Sequence, residues 1–168
     1  MEKKLMNIKI NRNEVVAIYN YFKKLNLKGV SKQLLQIIIH NQLLLRKDAF
    51  DIIAENEEIV SRFQTEEFNT LLNSFLTARA KYEQAKNNVD TLKIQKAEEE
   101  INAAFYKFKP IDIQITEQIN SAKKSLENKV YVYTLETIKT KDIIEHYINL
   151  CNDFTFEEIE PIFKILED

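Results

Sequence analysis

The chain has 168 residues, with 24 Lys and Arg against 26 Asp and Glu, a formal net charge of −2, and 45% apolar and 30% charged residues. It is long enough and apolar enough for a folded core, which argues against disorder, and it has none of the global basic excess that nucleic-acid binding draws on, so nucleic acid is not expected as a direct ligand. One Gly and two Pro leave little turn-forming material, and long helices joined by short loops are expected.

The stretch "NIKINR" alternates polar and apolar residues, with Ile8 and Ile10 on one side, and predicts a short strand. Asn11 and Glu14 have capping-box spacing. A helix follows over residues 12–25, with Val15, Ile18, Phe22 and Leu25 as its apolar stripe and Lys23 and Lys24 at the negative end of its dipole. Gly29 then breaks the pattern. A phosphate cradle needs several glycines, so Gly29 reads as a structural turn, ending one helix with the positive φ that other residues resist. Ser31 caps the next helix, which runs over residues 32–62. Its first half, "LLQIIIHNQLLL", is apolar nearly all round and predicts burial on more than one side. The acidic "ENEE" of residues 55–58 reads as a solvated face, because consecutive helical residues point in different directions.

Thr65 caps a third helix. Leu71, Phe75, Ala78, Tyr82, Ala85, Val89 and Leu92 recur at spacings of four and three, and Leu71, Phe75, Tyr82, Val89 and Leu92 form a candidate interaction seam. The pattern resumes out of phase at Ala97, Ile101, Ala104 and Phe108. The helix either runs unbroken over residues 66–108, roughly 60 Å, or breaks at "NNVD" with Asp90 capping a new one. Such a length requires pairing, with the second helix as an antiparallel hairpin protruding over residues 32–108 or with another chain. Pro110 ends the helix in this reading. "IDIQIT", residues 111–116, alternates and predicts a strand, followed by a short helix over residues 116–128. "VYVYTL", residues 130–135, is β-branched, aromatic and alternating, the best strand in the chain. Tyr131 and Tyr133 share one of its faces as candidate exposed aromatics of the kind enriched at interfaces. "KDIIEHYINL" predicts a short amphipathic helix. "TFEEIEPIFKILED" predicts a last one, with Thr155 and Glu158 at capping-box spacing and a kink at Pro161. The fold expected is a single mainly α domain over residues 1–168, of α+β type: a long antiparallel helical hairpin, a small two- or three-stranded sheet and short C-terminal helices.

Chemistry is sparse. A single glycine excludes Walker-type and Rossmann-type phosphate sites. His40, His146 and Cys151 are too few for a structural zinc site, and neither histidine has a Glu three residues before it. Asp142 and His146 share a helix face. As a carboxylate–imidazole pair they can bind a metal or exchange protons; the plainer reading is a surface or half-buried pair near a helix C-terminus. Cys151 lies on a different helical face from His146, and His40 reads as a core or interface histidine. The seven Tyr and ten Phe fall mostly on helical stripes and read as core packing rather than base-stacking platforms. No catalytic residue, cofactor or metal is expected. A lone cysteine suits a reducing compartment, the N-terminus has no apolar core of a signal peptide, and no apolar run reaches the roughly 18 residues that span a bilayer. Synthesis in the cytoplasm with no membrane partner is expected.

The ends of the chain carry a resemblance. The opening "NIKINRNEVVAIYNYFKKLNLKGVSKQLL", with Asn13, Glu14, Leu25, Leu27, Lys28 and Gly29, resembles the start of a family of short, uncharacterised, mostly helical proteins of tailed bacteriophages: a brief strand, a helix opening in an Asn-x-Glu-like turn, then a Leu-x-Leu-Lys-Gly turn. "EEEINAAFYKFKPIDIQI" is similar to that family's helix running into a strand, and "FTFEEIEPIFKILED", through Thr155, Phe163 and Leu166, to its terminal helix and acidic tail. The likeness covers half the chain in two pieces, and residues 116–152 look inserted. It implies a phage origin, synthesis in the host cytoplasm with the virion as one destination, and no catalytic residues to carry over. The function expected is non-enzymatic: protein–protein contact, by self-association or with other phage proteins, as a virion or tail-assembly component or an assembly factor. The alternative is a counter-defence or host-takeover protein that binds and inhibits a host protein.

Overall fold

A computed structural model describes residues 4–87, 91–150 and 155–167. Strand β1 (Leu5–Asn11) leads into helices α1 (Arg12–Lys24), α2 (Lys32–Phe63), α3 (Glu66–Asn87) and α4 (Thr91–Lys124); strands β2 (Val130–Glu136) and β3 (Ile138–Lys139), helices α5 (Thr140–Asn149) and α6 (Phe156–Ile159), a 3-10 helix (Glu160–Ile165) and strand β4 (Leu166–Glu167) follow. The fold is mainly α with two small two-stranded sheets. It forms two compact units, Met1–Glu55 with Leu126–Asp168, and Asn56–Ser125, and the division falls inside α2.

The first unit is organised by β1 and β2, which pair antiparallel with Ile8 opposite Tyr133 and Ile10 opposite Tyr131. Alternation turns Ile8, Ile10 and Leu135 inward, into a core shared with Val15, Ile18 and Phe22 of α1 and Leu34, Ile38, Leu45 and Ile52 of α2. Ile143 of α5 and Ile159, Ile162 and Ile165 near the C-terminus complete that core. The capping box forms as the spacing predicts: Glu14 N–H donates to Asn11 Oδ1 at 3.0 Å, and Asn11 N–H donates to Glu14 Oε2 at 2.8 Å. Ser31 Oγ likewise accepts from Leu34 N–H at 3.2 Å, starting α2. β3 and β4 add a short parallel pair, Ile138 with Leu166 and Lys139 with Glu167.

Gly29 takes a positive φ of 78°, but it does not end α1. That helix closes at Lys24, and Leu25 is already extended. Val30 N–H donates to Leu27 C=O at 3.3 Å, so Gly29 is the third residue of a four-residue turn, the position where a type II turn requires φ near +80°. The last predicted helix is also replaced. Its residues form a single α-turn and then a 3-10 helix with Pro161 in its first turn, where the missing N–H of proline costs nothing. Thr155 makes no side-chain cap bond there.

The second unit is an antiparallel hairpin of α3 and α4. Thr65 Oγ1 accepts from Phe68 N–H at 3.2 Å and opens α3. The ring of Phe75 lies 5.8 Å from Phe105 and 5.5 Å from Phe108, and Phe68 lies 5.6 Å from Phe108. Toward the end near Asn87 and Thr91, small Ala78, Ala85 and Ala97 are buried in place of rings. Two expectations are corrected. The partner of α3 in the hairpin is α4, not α2. And Pro110 lies inside α4, so residues 111–116 are helical rather than a strand. Ile111 and Ile115 prolong the stripe of Ile101, Ala104 and Phe108 at spacings of three and four, and they pack on Phe68 and Phe108. Pro110 removes one helical N–H, but it is exposed, on the side away from the Phe108 stripe, so the carbonyl it orphans can turn to water.

Candidate interaction surface

The sequence of α2 gives it two apolar sides. One buries Leu34, Ile38, Asn41, Leu45, Ala49 and Ile52, at spacings of three and four. Three polar anchors fix this side. Asn41 is fully buried and clasps the backbone of Glu136 both ways: its Nδ2 donates to Glu136 C=O at 2.8 Å and its Oδ1 accepts from Glu136 N–H at 2.9 Å. The Tyr133 hydroxyl donates to Asp48, and burial with that contact pushes the hydroxyl far above the ordinary tyrosine range. Arg12, 2% exposed, donates to Glu55 and to the Ile52 carbonyl at 3.2 Å. The Arg12 guanidinium holds the Glu55 carboxyl below the usual carboxylate range.

The opposite side of α2 stays in water. Ile39 is 44%, Leu43 60% and Phe50 46% exposed. With Arg46, whose guanidinium lies 5.6 Å from the Phe50 ring centre, they stand at spacings of four, three and four, a heptad-like stripe on one helical face. Phe50 also touches Tyr19, at 5.6 Å between ring centres. The expectation of burial on more than one side therefore needs correction: the chain covers only one side of this helix well, and the other presents an exposed apolar stripe.

The residues singled out from the sequence are differently placed. Leu71 and Phe75 pack within the α3–α4 hairpin, and Tyr82 is half-buried on the same helix. That much of the seam is satisfied inside the chain. Leu92 is 80% exposed, and Val89 lies outside the described residues. Tyr131 and Tyr133, the candidate exposed aromatics, are instead half-buried and turned toward the core, stacked on each other at 6.4 Å; the outward residues of β2 are Val130, Val132 and Thr134. Gly29 sits in the turn between α1 and α2, and Ser31 caps α2.

His146 is buried, and its Nε2 lies 2.6 Å from the Asn26 carbonyl. A carbonyl can only accept, so this nitrogen carries the proton. The imidazole thus ties α5 to the loop after α1, and no hydrogen bond joins it to Asp142 among the described residues. Cys151 lies outside them. His40 is exposed rather than core, 3.7 Å from the Glu136 carboxylate. A cleft of about 440 Å³ lies between α1 and α5, lined by Tyr21, Lys24, Tyr147 and Glu158 among others. The two tyrosine hydroxyls stand 3.4 Å apart, and burial together with Tyr147 pushes the Tyr21 hydroxyl far up. Among the described residues, no group of three or more His, Cys, Asp or Glu side chains is placed to hold a metal ion, and no helix is long and apolar enough to cross a membrane.

Sequence reasoning missed Asn41, Arg12 and the outward stripe. The first two have partners far along the chain. The stripe was within reach, since an all-round apolar helix has a second side, but which side is left open is decided by the rest of the fold. Comparison with family models, curated proteins and solved structures finds no match for this chain.

Proposed function

We propose that this protein acts by protein–protein contact rather than catalysis, as a bacteriophage virion or tail-assembly component or an assembly factor. The observation that carries the reading is the outward stripe of Ile39, Leu43 and Phe50 on α2. Large apolar side chains left this exposed on one helical face cost solubility, whereas an apolar helix of another assembly protein would bury them at heptad spacing. The likeness of the two chain ends to short tailed-phage proteins supports the setting.

A photo-crosslinking residue at position 43, introduced during phage infection, tests the reading directly. The expected product is a discrete adduct with a structural or assembly protein, lost in Ile39→Glu and absent when the probe stands at Asn73 on the hairpin. A chain that forms no adduct from position 43 and is missing from purified particles and assembly intermediates would refute it. An adduct with a host protein would point to the inhibitor role.

A further inference from the structure

Strand β2 is paired on one side only, and the phase of its ladder can be fixed. Thr137 N–H donates to Lys4 C=O at 3.0 Å just beyond the β1–β2 pairs. Antiparallel ladders alternate hydrogen-bonded and non-bonded pairs, so Leu135, Tyr133 and Tyr131 exchange bonds with β1. The N–H and C=O groups of Glu136, Thr134, Val132 and Val130 point to the other edge. At Glu136 that edge is closed by Asn41, which takes both groups. The backbone N–H and C=O groups of Thr134, Val132 and Val130 make no hydrogen bond with another described element. Their side chains face outward, with Val130 59% and Val132 65% exposed, and the Thr134 hydroxyl is held by Asn7 at 2.6 Å.

The two edges of this ribbon differ in kind. β1 carries Asn7, Lys9 and Asn11 on its outward face, and a lysine at an edge opposes pairing with another strand. β2 offers β-branched residues and no charge from Val130 to Leu135. We propose that β2 pairs antiparallel with β2 of a second copy of this chain, about a twofold axis at Val132. Val132 then faces Val132 of the other copy, and Val130 faces Thr134 in both directions. All three are hydrogen-bonded pairs, so every free backbone group of the edge is satisfied at once. Tyr131 meets Tyr133 of the other copy on the inner face as a cross-strand aromatic pair, and the exposed valines of the two copies adjoin on the outer face. The register is self-complementary, and with no charge in the segment the copies do not repel each other; pairing through β1 would bring its lysine into the interface. Asn41 closes the edge at Glu136 and so excludes the registers that would pair that residue. The inference is independent of the α2 stripe.

Light scattering across a dilution series of the full chain, with hydrogen exchange read residue by residue, tests it. The mass is expected to rise from one chain to two, and the amides of Val130, Val132 and Thr134 to become protected as it does. Val132→Pro removes an outward N–H without touching the ladder to β1, and is expected to leave a single-chain mass with unchanged helical circular dichroism. If proline disturbs the strand itself, Val132→Lys applies the same block through charge and is expected to give the same mass. Leu43→Glu should leave the two-chain mass intact, which separates this inference from the α2 reading. A wild-type chain that stays at single mass at every concentration would overturn the proposal, leaving a strand from a different protein as the occupant. A two-chain mass that survives in both Val132 variants would overturn it equally.

Discussion

Asn41 shows how much of a fold one buried amide can decide. Its side chain replaces a neighbouring strand, giving Glu136 both the donor and the acceptor that its outward backbone groups need. Asn41→Ala leaves a buried N–H and a buried C=O without partners, and each such loss costs about 1–3 kcal/mol. The expected destabilisation is about 2–6 kcal/mol, read from the denaturation midpoint. Asn41→Asp is the sharper variant: it keeps the acceptor, sets a carboxylate against the Glu136 carbonyl, and should be no better than alanine. If either variant unfolds like the wild type, the clasp has no energetic role. Arg12 and Glu55 make a second such contact, with Arg12 buried and Glu55 half-exposed. Because the Glu55 carboxyl is held below its ordinary value of 4.5, its contribution is fully present above that pH and fades as pH falls below it, toward the depressed folded value. Glu55→Gln should therefore lose about 1–3 kcal/mol at neutral pH, toward the low end because water screens the carboxylate, and its stability should fall less steeply than the wild type's on acidification. An equally steep acid limb in the variant would remove Glu55 from the account.

At the scale of elements, what was legible in the sequence was local. The Asn11–Glu14 box and the Ser31 and Thr65 caps each join residues three apart, so spacing alone identifies them. β2 was legible from composition, but period two says only that Tyr131 and Tyr133 share a face. Which face is set by β1, where Ile8 and Ile10 lie opposite them and point into the core. The Asn41 clasp was illegible because its partner is 95 residues away. Residues 111–116 misled for a different reason: "IDIQIT" satisfies period two, yet Ile111 and Ile115 also satisfy the helical spacing that continues to Ile119. Packing on Phe68 and Phe108 decided between them, against the local signal of Pro110. That conflict gives a test. Pro110→Ala restores a helical N–H in an exposed position of α4, and should stabilise the hairpin by about 1–3 kcal/mol; a loss of stability would mean that α4 depends on its proline. Gly29→Ala should act in the opposite sense. An added Cβ meets nothing within 4 Å, so the φ of 78° alone sets the cost, about 1 kcal/mol, and the same variant with no loss would show that the turn relaxes freely.

At the scale of the whole molecule, the two units are unequally built. The first buries residues from both chain ends and several elements, among them Val15, Ile38, Leu45, Leu135, Ile143 and Ile162, all essentially inaccessible. The second has a buried cluster of Phe68, Phe108 and Ile115, backed by half-buried side chains, and its Lys81–Glu100 pair is exposed at both ends, where such pairs contribute little. A small core with few inaccessible side chains opens at lower free energy than a large one. Native-state hydrogen exchange should therefore show the amides of α3 and α4 exchanging through a sub-global opening, while those of β1, α1 and the Leu34–Ile52 part of α2 exchange only on global unfolding. Phe108→Ala deletes a ring that two other phenylalanines contact and should lower the opening free energy of the hairpin by about 3 kcal/mol, with the amides of the first unit unmoved. Leu45→Ala should do the reverse. If both variants shift every amide by the same amount, the chain unfolds as one cooperative body, and the separate hydrophobic clusters do not act as separate units of stability.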